Sequence, residues 1–139
     1  MKKKVLLAYS GGLDTSYCAK YLSALKGYEV YSAIVDTGGF LPEELARIEQ
    51  TAYKLGVLKH TVLNAASEYY QKCIRYMIYG NVLRNNTYPL SVSSERTFQA
   101  LALVDYAKEI KADAIAHGST GAGNDQVRFE LTVMALDPR

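Results

Sequence analysis

The sequence predicts an α/β fold, a parallel β-sheet with helices on both faces. Short apolar runs alternate along the chain with segments whose apolar residues recur at helical spacing. The first run, residues 5–9, is continuously apolar, as in a strand that is buried on both faces. Two glycine-rich segments, 10–13 and 117–124, each follow a predicted strand, so both are expected at the same edge of the sheet.

The predicted elements follow from periodicity and from residues that begin or end helices. Strands are expected at 5–9, 30–35, 58–63 and 112–116, and helices at 14–26, 42–55, 67–79, 95–111 and from 125 onward. Pro42 suits a helix start, while Gly27 and Gly56 suit helix ends. The polar segment 80–94 is predicted to be mostly loop. No strand follows the last helix, so the final strand of the sheet is expected to be missing.

Length and composition exclude several classes of protein. The 139 residues are 49% hydrophobic, which suits one core and a single domain over 1–139. The net charge of +2 gives no reason to expect nucleic-acid binding, and no apolar run approaches the roughly 20 residues of a membrane span. Cys18 and Cys73 have no metal-binding spacing and are expected to be reduced core thiols of a cytoplasmic protein.

The segment Ser10-Gly11-Gly12-Leu13-Asp14-Thr15-Ser16 lies between the first strand and the first helix and indicates a phosphate site. Adjacent glycines allow positive φ angles and bring backbone N–H groups close to a ligand. The helix N-terminus and the hydroxyl groups add further donors. The segment lacks the lysine of a P-loop, so a bound cation is expected to help, and Asp14 is a candidate Mg²⁺ ligand. A purely structural turn with a helix cap is the alternative.

The string 8–16, Ala-Tyr-Ser-Gly-Gly-Leu-Asp-Thr-Ser, resembles the signature of the ATP-pyrophosphatase superfamily. Together with the string 117–130, His-Gly-Ser-Thr-Gly-Ala-Gly-Asn-Asp-Gln-Val-Arg-Phe-Glu, it is most similar to the argininosuccinate synthase family. The resemblance covers essentially the whole chain and about the first third of the family's usual length. It implies the adenine nucleotide alpha-hydrolase-like fold, ATP and Mg²⁺ as cofactors, citrulline and aspartate as substrates, and a homotetrameric enzyme.

The resemblance also implies roles for individual residues. Asp125 suits a substrate ammonium group and Arg128 a substrate carboxylate, and their i,i+3 spacing places them on one helix face. A surface ion pair of little energetic value is the alternative interpretation. The implied ATP contacts are Ala8, Tyr9, Ser10, Gly11, Gly12, Leu13, Asp14, Thr15, Ser16, Val35 and Gly118; the implied aspartate contacts are Thr120, Asn124 and Asp125; the implied citrulline contacts are Tyr88, Ser93, Asn124 and Arg128.

Other residues receive weaker assignments. Arg96 either contacts a phosphate or carboxylate group or is merely solvated. His117 is a candidate for an ATP contact, and His60 is expected to be packed or solvated. Ala122 stands where many relatives have lysine, so a phosphate contact by that lysine is absent. Two alternatives stay open: another adenylating enzyme of the superfamily, such as a tRNA-sulfurating enzyme, and a nucleotide-binding fragment without catalytic activity.

Overall fold

The computed structural model describes residues 2–121 and 123–137. The elements are β1 (Lys4–Ala8), α1 (Leu13–Lys20) with a π-helical turn (Tyr21–Leu25), β2 (Glu29–Asp36), α2 (Pro42–Lys54), β3 (Lys59–Asn64), α3 (Ala66–Tyr69) with a second π-helical turn (Tyr70–Ile74), α4 (Arg75–Tyr79), β4 (Leu83–Arg84), β5 (Tyr88–Pro89), α5 (Ser91–Glu109), β6 (Ala114–Ala116) and α6 (Asn124–Leu136).

Four strands form a parallel sheet, as the sequence predicts, and their order in the sheet is β3-β2-β1-β6. Strand β1 pairs with β2 from Lys4↔Glu29 to Ala8↔Ala33, and with β6 from Val5↔Ala114 to Leu7↔Ala116. The chain first moves outward through β2 and β3, then returns to the other side of β1 to form β6. The strand order therefore reverses beside β1, and a crevice is expected where β1 and β6 end.

Each face of the sheet carries its own hydrophobic core. Leu6 of β1 packs with Leu103 of α5 and Phe129 of α6, whereas Leu7, its neighbour, packs on the opposite face with Ala19 of α1 and Ile48 of α2. Both leucines are fully buried. Burial of one such side chain stabilises the fold by about 1.5–3 kcal/mol, so the alternation along β1 secures both helical layers.

The segment 80–94 differs from the predicted loop. It contains a short antiparallel hairpin of β4 and β5, in which Leu83 pairs with Pro89, and α5 begins at Ser91 rather than at 95. The turn uses Asn85 and Asn86, whose φ angles are 54° and 57°. Asparagine tolerates this left-handed region better than most residues, so the two asparagines allow a tight reversal here.

Two predicted helices are also less regular than expected. The helix predicted at 14–26 changes from α to π geometry at Tyr21, and the helix predicted at 67–79 is divided into α3, a π-helical turn and α4. In the first π-helical turn, Ser23 Oγ lies 2.8 Å from Ala19 O and 2.9 Å from Leu55 O, so its one proton is shared between these two carbonyl oxygens. The hydroxyl thus competes for a helix carbonyl, which favours local distortion, and it also ties this turn to the end of α2. A helix with the length and apolar character of a membrane span is not found in the part of the chain that the structure describes.

His60 on β3 is a buried polar residue next to the core that contains Leu7. Its Nδ1 lies 2.7 Å from Ser32 Oγ, its ring meets Tyr9 edge to face at 5.8 Å, and its Nε2 has no hydrogen-bond partner among the described residues. Burial lowers the pKa of His60 from its usual 6.5, and the charge of Glu49 opposes this effect only in part. The folded protein therefore favours neutral His60.

We predict that the free energy of unfolding falls as the pH drops below about 6.5, because the unfolded chain then binds a proton that folded His60 resists. The stabilisation that comes from keeping His60 neutral is fully present above that pH. Below it, the free energy of unfolding falls by at most about 1.4 kcal/mol per pH unit. Urea denaturation between pH 7.5 and 5.5 measures it. The variant His60→Gln should show a flatter profile, whereas His117→Gln should keep the fall; equal profiles for wild type and His60→Gln would contradict the assignment.

Candidate nucleotide site

The turn after β1 has a backbone that only glycine accommodates. Gly11 has a φ of 78°, and a Cβ added there would lie 2.8 Å from Ile48 Cγ1. Gly12, by contrast, has an ordinary φ of −74° and precedes α1 without a side-chain cap hydrogen bond. The first N–H groups of α1 thus lie at a turn whose two glycines have no side chains to cover them, as in sites that bind anions.

Hydroxyl groups surround this turn. Ser10 Oγ lies 3.3 Å from Thr15 Oγ1, and Thr15 Oγ1 donates to Gly12 O at 3.2 Å. Ser16 Oγ lies 3.2 Å from the hydroxyl of Tyr9, at the end of β1. These local contacts restrict the side chains around the turn, so that part of the site is arranged before a ligand binds.

The loop after β6 lies directly against the first turn of α1. A Cβ added to Gly118 would lie 2.9 Å from Thr15 Cγ2 and 3.3 Å from the Thr15 backbone nitrogen. The loop is ordered by its own bonds, since Ser119 N donates to His117 Nδ1 at 3.2 Å and Gly123 N donates to Thr120 O at 3.0 Å. The prediction that both glycine-rich loops open at the same edge of the sheet is therefore confirmed.

A cavity of about 490 Å³ opens between these loops, at the carboxyl ends of β1, β2 and β6. Its size falls within the usual range of small-molecule sites. Its lining includes the apolar side chains of Val35, Phe40 and Leu103, together with glycine backbone, hydroxyl groups and the charged residues Asp14 and Arg96. A ligand that has both an apolar ring system and an anionic group suits this mixed lining.

The cavity brings together most of the residues assigned to ATP. Gly11 and Ser16 lie just outside the lining, and the other residues of that set line the cavity: Ala8, Tyr9, Ser10, Gly12, Leu13, Asp14, Thr15, Val35 and Gly118.

The residues assigned to the amino-acid substrates are more scattered. Asp125 lines the cavity, whereas Thr120 and Asn124 are exposed beside it. Tyr88 is exposed on β5, and Ser93, in the first turn of α5, donates from Oγ to Leu90 O at 2.9 Å. Neither Tyr88, Ser93 nor Arg128 contributes to the cavity lining. Ala122 lies outside the described residues, and Cys18 and Cys73 are free thiols away from the cavity.

Asp125 lies between two guanidinium groups. Arg128 Nη1 donates to its Oδ1 at 2.9 Å, and Arg96 Nε donates to its Oδ2 at 3.2 Å. Partial burial acts to raise the pKa of Asp125, but the hydrogen bonds and charges of Arg96 and Arg128 outweigh it, so the pKa is lowered overall. Asp125 is therefore held as a carboxylate at the edge of the cavity.

Several cavity residues escaped the sequence-based assignment. Glu95, Gln99 and Phe40 line the cavity, and Arg96, a weak candidate from sequence, is anchored there rather than merely solvated. The i,i+4 spacing of Glu95 and Gln99 places both on one face of a helix, but that spacing is too common to single them out. Phe40 follows β2 in an ordinary loop, and nothing in its local sequence indicates a cavity.

Fold and cavity together define a class: an α/β domain with a ligand-sized cavity at the point where strand order reverses, the place where such sheets bind their ligands. Residues 4–139 match the family model described as "Arginosuccinate synthase N-terminal HUP domain", and the chain belongs to this family.

Three relatives, each named argininosuccinate synthase, illustrate the similarity. The protein of Pyrobaculum aerophilum is 44% identical over 97% of this chain, that of Staphylococcus saprophyticus 42% over 99%, and that of Methanocaldococcus jannaschii 45% over 99%. In each case the match covers 34% of the relative, so the chain spans about a third of the length of these curated relatives.

We predict that Gly118→Ala destabilises the fold by about 1–3 kcal/mol, because its methyl group must displace the first turn of α1. The matched variant Gly121→Ala adds a methyl in the same loop, where nothing lies within 4 Å, and should change stability by less than about 0.5 kcal/mol. Thermal and urea denaturation measure both. Equal stability of the two variants would show that the loops do not touch as described.

Proposed function

We propose that this chain binds ATP in the cavity between the two glycine-rich loops. The triphosphate lies against the turn at Gly11 and Gly12, and the adenine lies near Val35. The N–H groups at the start of α1 donate to the phosphate oxygens, and the hydroxyl group of Ser10 adds a further donor. Membership of a HUP-domain family supports this assignment.

The donor set at the phosphate end also fits Mg²⁺. Asp14 is exposed in the first turn of α1 and lines the cavity. No cluster of three histidine, cysteine or acidic residues suitable for a metal occurs in the described part of the chain. Magnesium on a nucleotide needs only one or two protein carboxylates, since phosphates and water supply its other ligands. Bound there, the ion would offset the negative charge of the phosphates.

We further propose that the whole enzyme to which this domain belongs joins citrulline to aspartate. The ureido oxygen of citrulline attacks the α phosphorus of ATP, which forms citrullyl-AMP and releases pyrophosphate. The aspartate amine then attacks the activated carbon, and AMP leaves with the ureido oxygen, which gives argininosuccinate. In this proposal Thr120, Asn124 and Asp125 hold aspartate, and Tyr88, Ser93, Asn124 and Arg128 hold citrulline.

The contribution of this domain to such a reaction is positioning and charge stabilisation. The ionised carboxylate of Asp125 suits the ammonium group of aspartate. This nitrogen must lose a proton to water before it attacks the activated carbon beside the α phosphate. The observation that carries the proposal is the contact of the Gly118 loop with α1, because it places Asp125 and the phosphate turn on one cavity.

We predict that Gly12→Ala lowers the affinity for ATP by about tenfold or more, because its methyl group enters the space of the phosphates. The fold should tolerate the change: φ is −74°, the nearest contact of the added carbon is Ser10 Oγ at 3.5 Å, and loss of a glycine N-cap costs about 1 kcal/mol at most. Titration calorimetry of the chain with ATP measures the affinity.

The control for this titration is Gly39→Ala, in a loop where an added carbon meets nothing within 4 Å, and it should bind ATP as the wild type does. The same titration with and without magnesium examines Asp14, since Asp14→Asn should lose the gain in affinity that magnesium gives. Absence of ATP binding by the wild-type chain, or equal affinities for Gly12→Ala and Gly39→Ala, would refute the proposed site.

A second candidate, a nucleotide-binding fragment without catalytic activity, is favoured by one observation. Most residues assigned to ATP line the cavity, whereas Tyr88, Ser93 and Arg128 do not. The citrulline site is thus not closed by the residues of this chain that the structure describes.

We predict that the 139-residue chain binds ATP but forms no argininosuccinate from ATP, citrulline and aspartate. A chromatographic assay for the product, with a full-length relative as the positive control, measures this. Turnover by the chain alone would rule out the fragment interpretation and show that its own residues complete the citrulline site.

A further inference from the structure

A row of side chains crosses one wall of the cavity from the end of β2 to α6. Thr37 Oγ1, just after β2, donates to Glu95 Oε1 at 2.7 Å, and Gln99 Nε2 donates to the same oxygen at 3.3 Å. Arg96 Nη1 donates to Gln99 Oε1 at 3.0 Å, and its Nε donates to Asp125 Oδ2. The end of β2, α5 and α6 are thereby connected through side chains, of which Glu95, Arg96, Gln99 and Asp125 line the cavity.

Gln99 can satisfy both of its neighbours in one orientation only. Its carbonyl oxygen must face the guanidinium of Arg96, which has donors alone, and its NH₂ group must face the carboxylate of Glu95, which has acceptors alone. A reversed amide would put like groups together on both sides. The amide is therefore held by its neighbours, and in turn it holds the guanidinium of Arg96.

The carboxylate of Asp125 is held on both of its oxygens, but it can still accept further hydrogen bonds. Arg96 contacts one of its oxygens and Arg128 the other. A carboxylate offers about four acceptor positions, so about two stay available for a ligand. The side chain is 44% exposed, so an ammonium group can approach it without displacing either arginine.

We propose that Gln99 is a positioning residue: through Arg96 it holds the Asp125 carboxylate in the orientation that receives the substrate ammonium. This inference rests on the proposed function for the identity of the ligand, aspartate. Gln99 itself does not touch the substrate. Without it, the long Arg96 side chain regains rotational freedom, and Asp125 loses one of the two groups that orient it.

The variants Gln99→Met and Arg96→Lys test the proposal. Methionine keeps the length of Gln99 and its helix propensity but has no amide, while lysine keeps the charge of Arg96 but lacks the planar fork that reaches Gln99 and Asp125 together. Calorimetric affinity for L-aspartate, with Mg-ATP present, should fall about tenfold in both, the effect of one lost charge-assisted hydrogen bond.

A spectroscopic readout separates positioning from a general loss of stability. The side-chain carboxyl of Asp125, assigned with Asp125→Asn, is titrated by ¹³C NMR in the ligand-free chain. Its pKa should rise in Gln99→Met, although Glu95, Arg96, Arg128 and the nearby His117 are all retained, because the guanidinium no longer stays on the carboxylate. Gln50→Leu, on the exposed side of α2, is the control and should change neither this pKa nor aspartate affinity.

Two results are decisive. An Asp125 pKa and an aspartate affinity that match the wild type in Gln99→Met would overturn the positioning role. If the wild-type chain binds ATP but no aspartate, the assignment of the ligand fails, while the NMR titration still decides whether Gln99 orients Arg96 on Asp125. The two failures are thus distinguishable.

Discussion

The candidate site depends on one close contact, that of Gly118 with the first turn of α1. Strands β1 and β6 are neighbours in the sheet, but adjacency alone does not join the loops that follow them. Because Gly118 has no side chain, its loop reaches within van der Waals distance of Thr15. This contact closes the end of the cavity and brings the start of α6, with Asp125, to the same space as the glycine turn. Any larger residue at 118 would separate the two halves of the site.

The charged side chains of this cavity are concentrated in one place, although the net charge of the chain is small. The chain carries a net charge of only +2, yet Arg96 and Arg128 converge on Asp125, and Asp14 stands at the start of α1. Burial alone would raise the pKa of the Asp125 carboxyl, but the two guanidinium groups lower it below its usual value and so favour the carboxylate. The arrangement gives a small site with both signs of charge, suited to zwitterionic ligands beside a polyanion.

Sequence reasoning was most successful where local chemistry and fold agree. The buried strand at 5–9 and the glycine pair after it require the same α/β architecture, so the sheet, its direction and the convergence of the two loops were predictable. The hairpin of β4 and β5 was not, because Asn85 and Asn86 suit an irregular loop as well as a tight turn. Glu95, Gln99 and Phe40 were missed for a different reason: their place in the cavity is set by how α5 and the loop after β2 pack on the sheet, which no local pattern records.

Ile48 connects the hydrophobic core to the turn at Gly11. Its side chain belongs to the core under α2, yet its Cγ1 occupies the position against which the backbone of Gly11 rests. The position of the turn at Gly11 is therefore set by the volume of a single branched aliphatic residue that packs beneath it. Changes of shape in this layer would be transmitted to ligand affinity, so the core below the turn is under a constraint that stability alone would not impose.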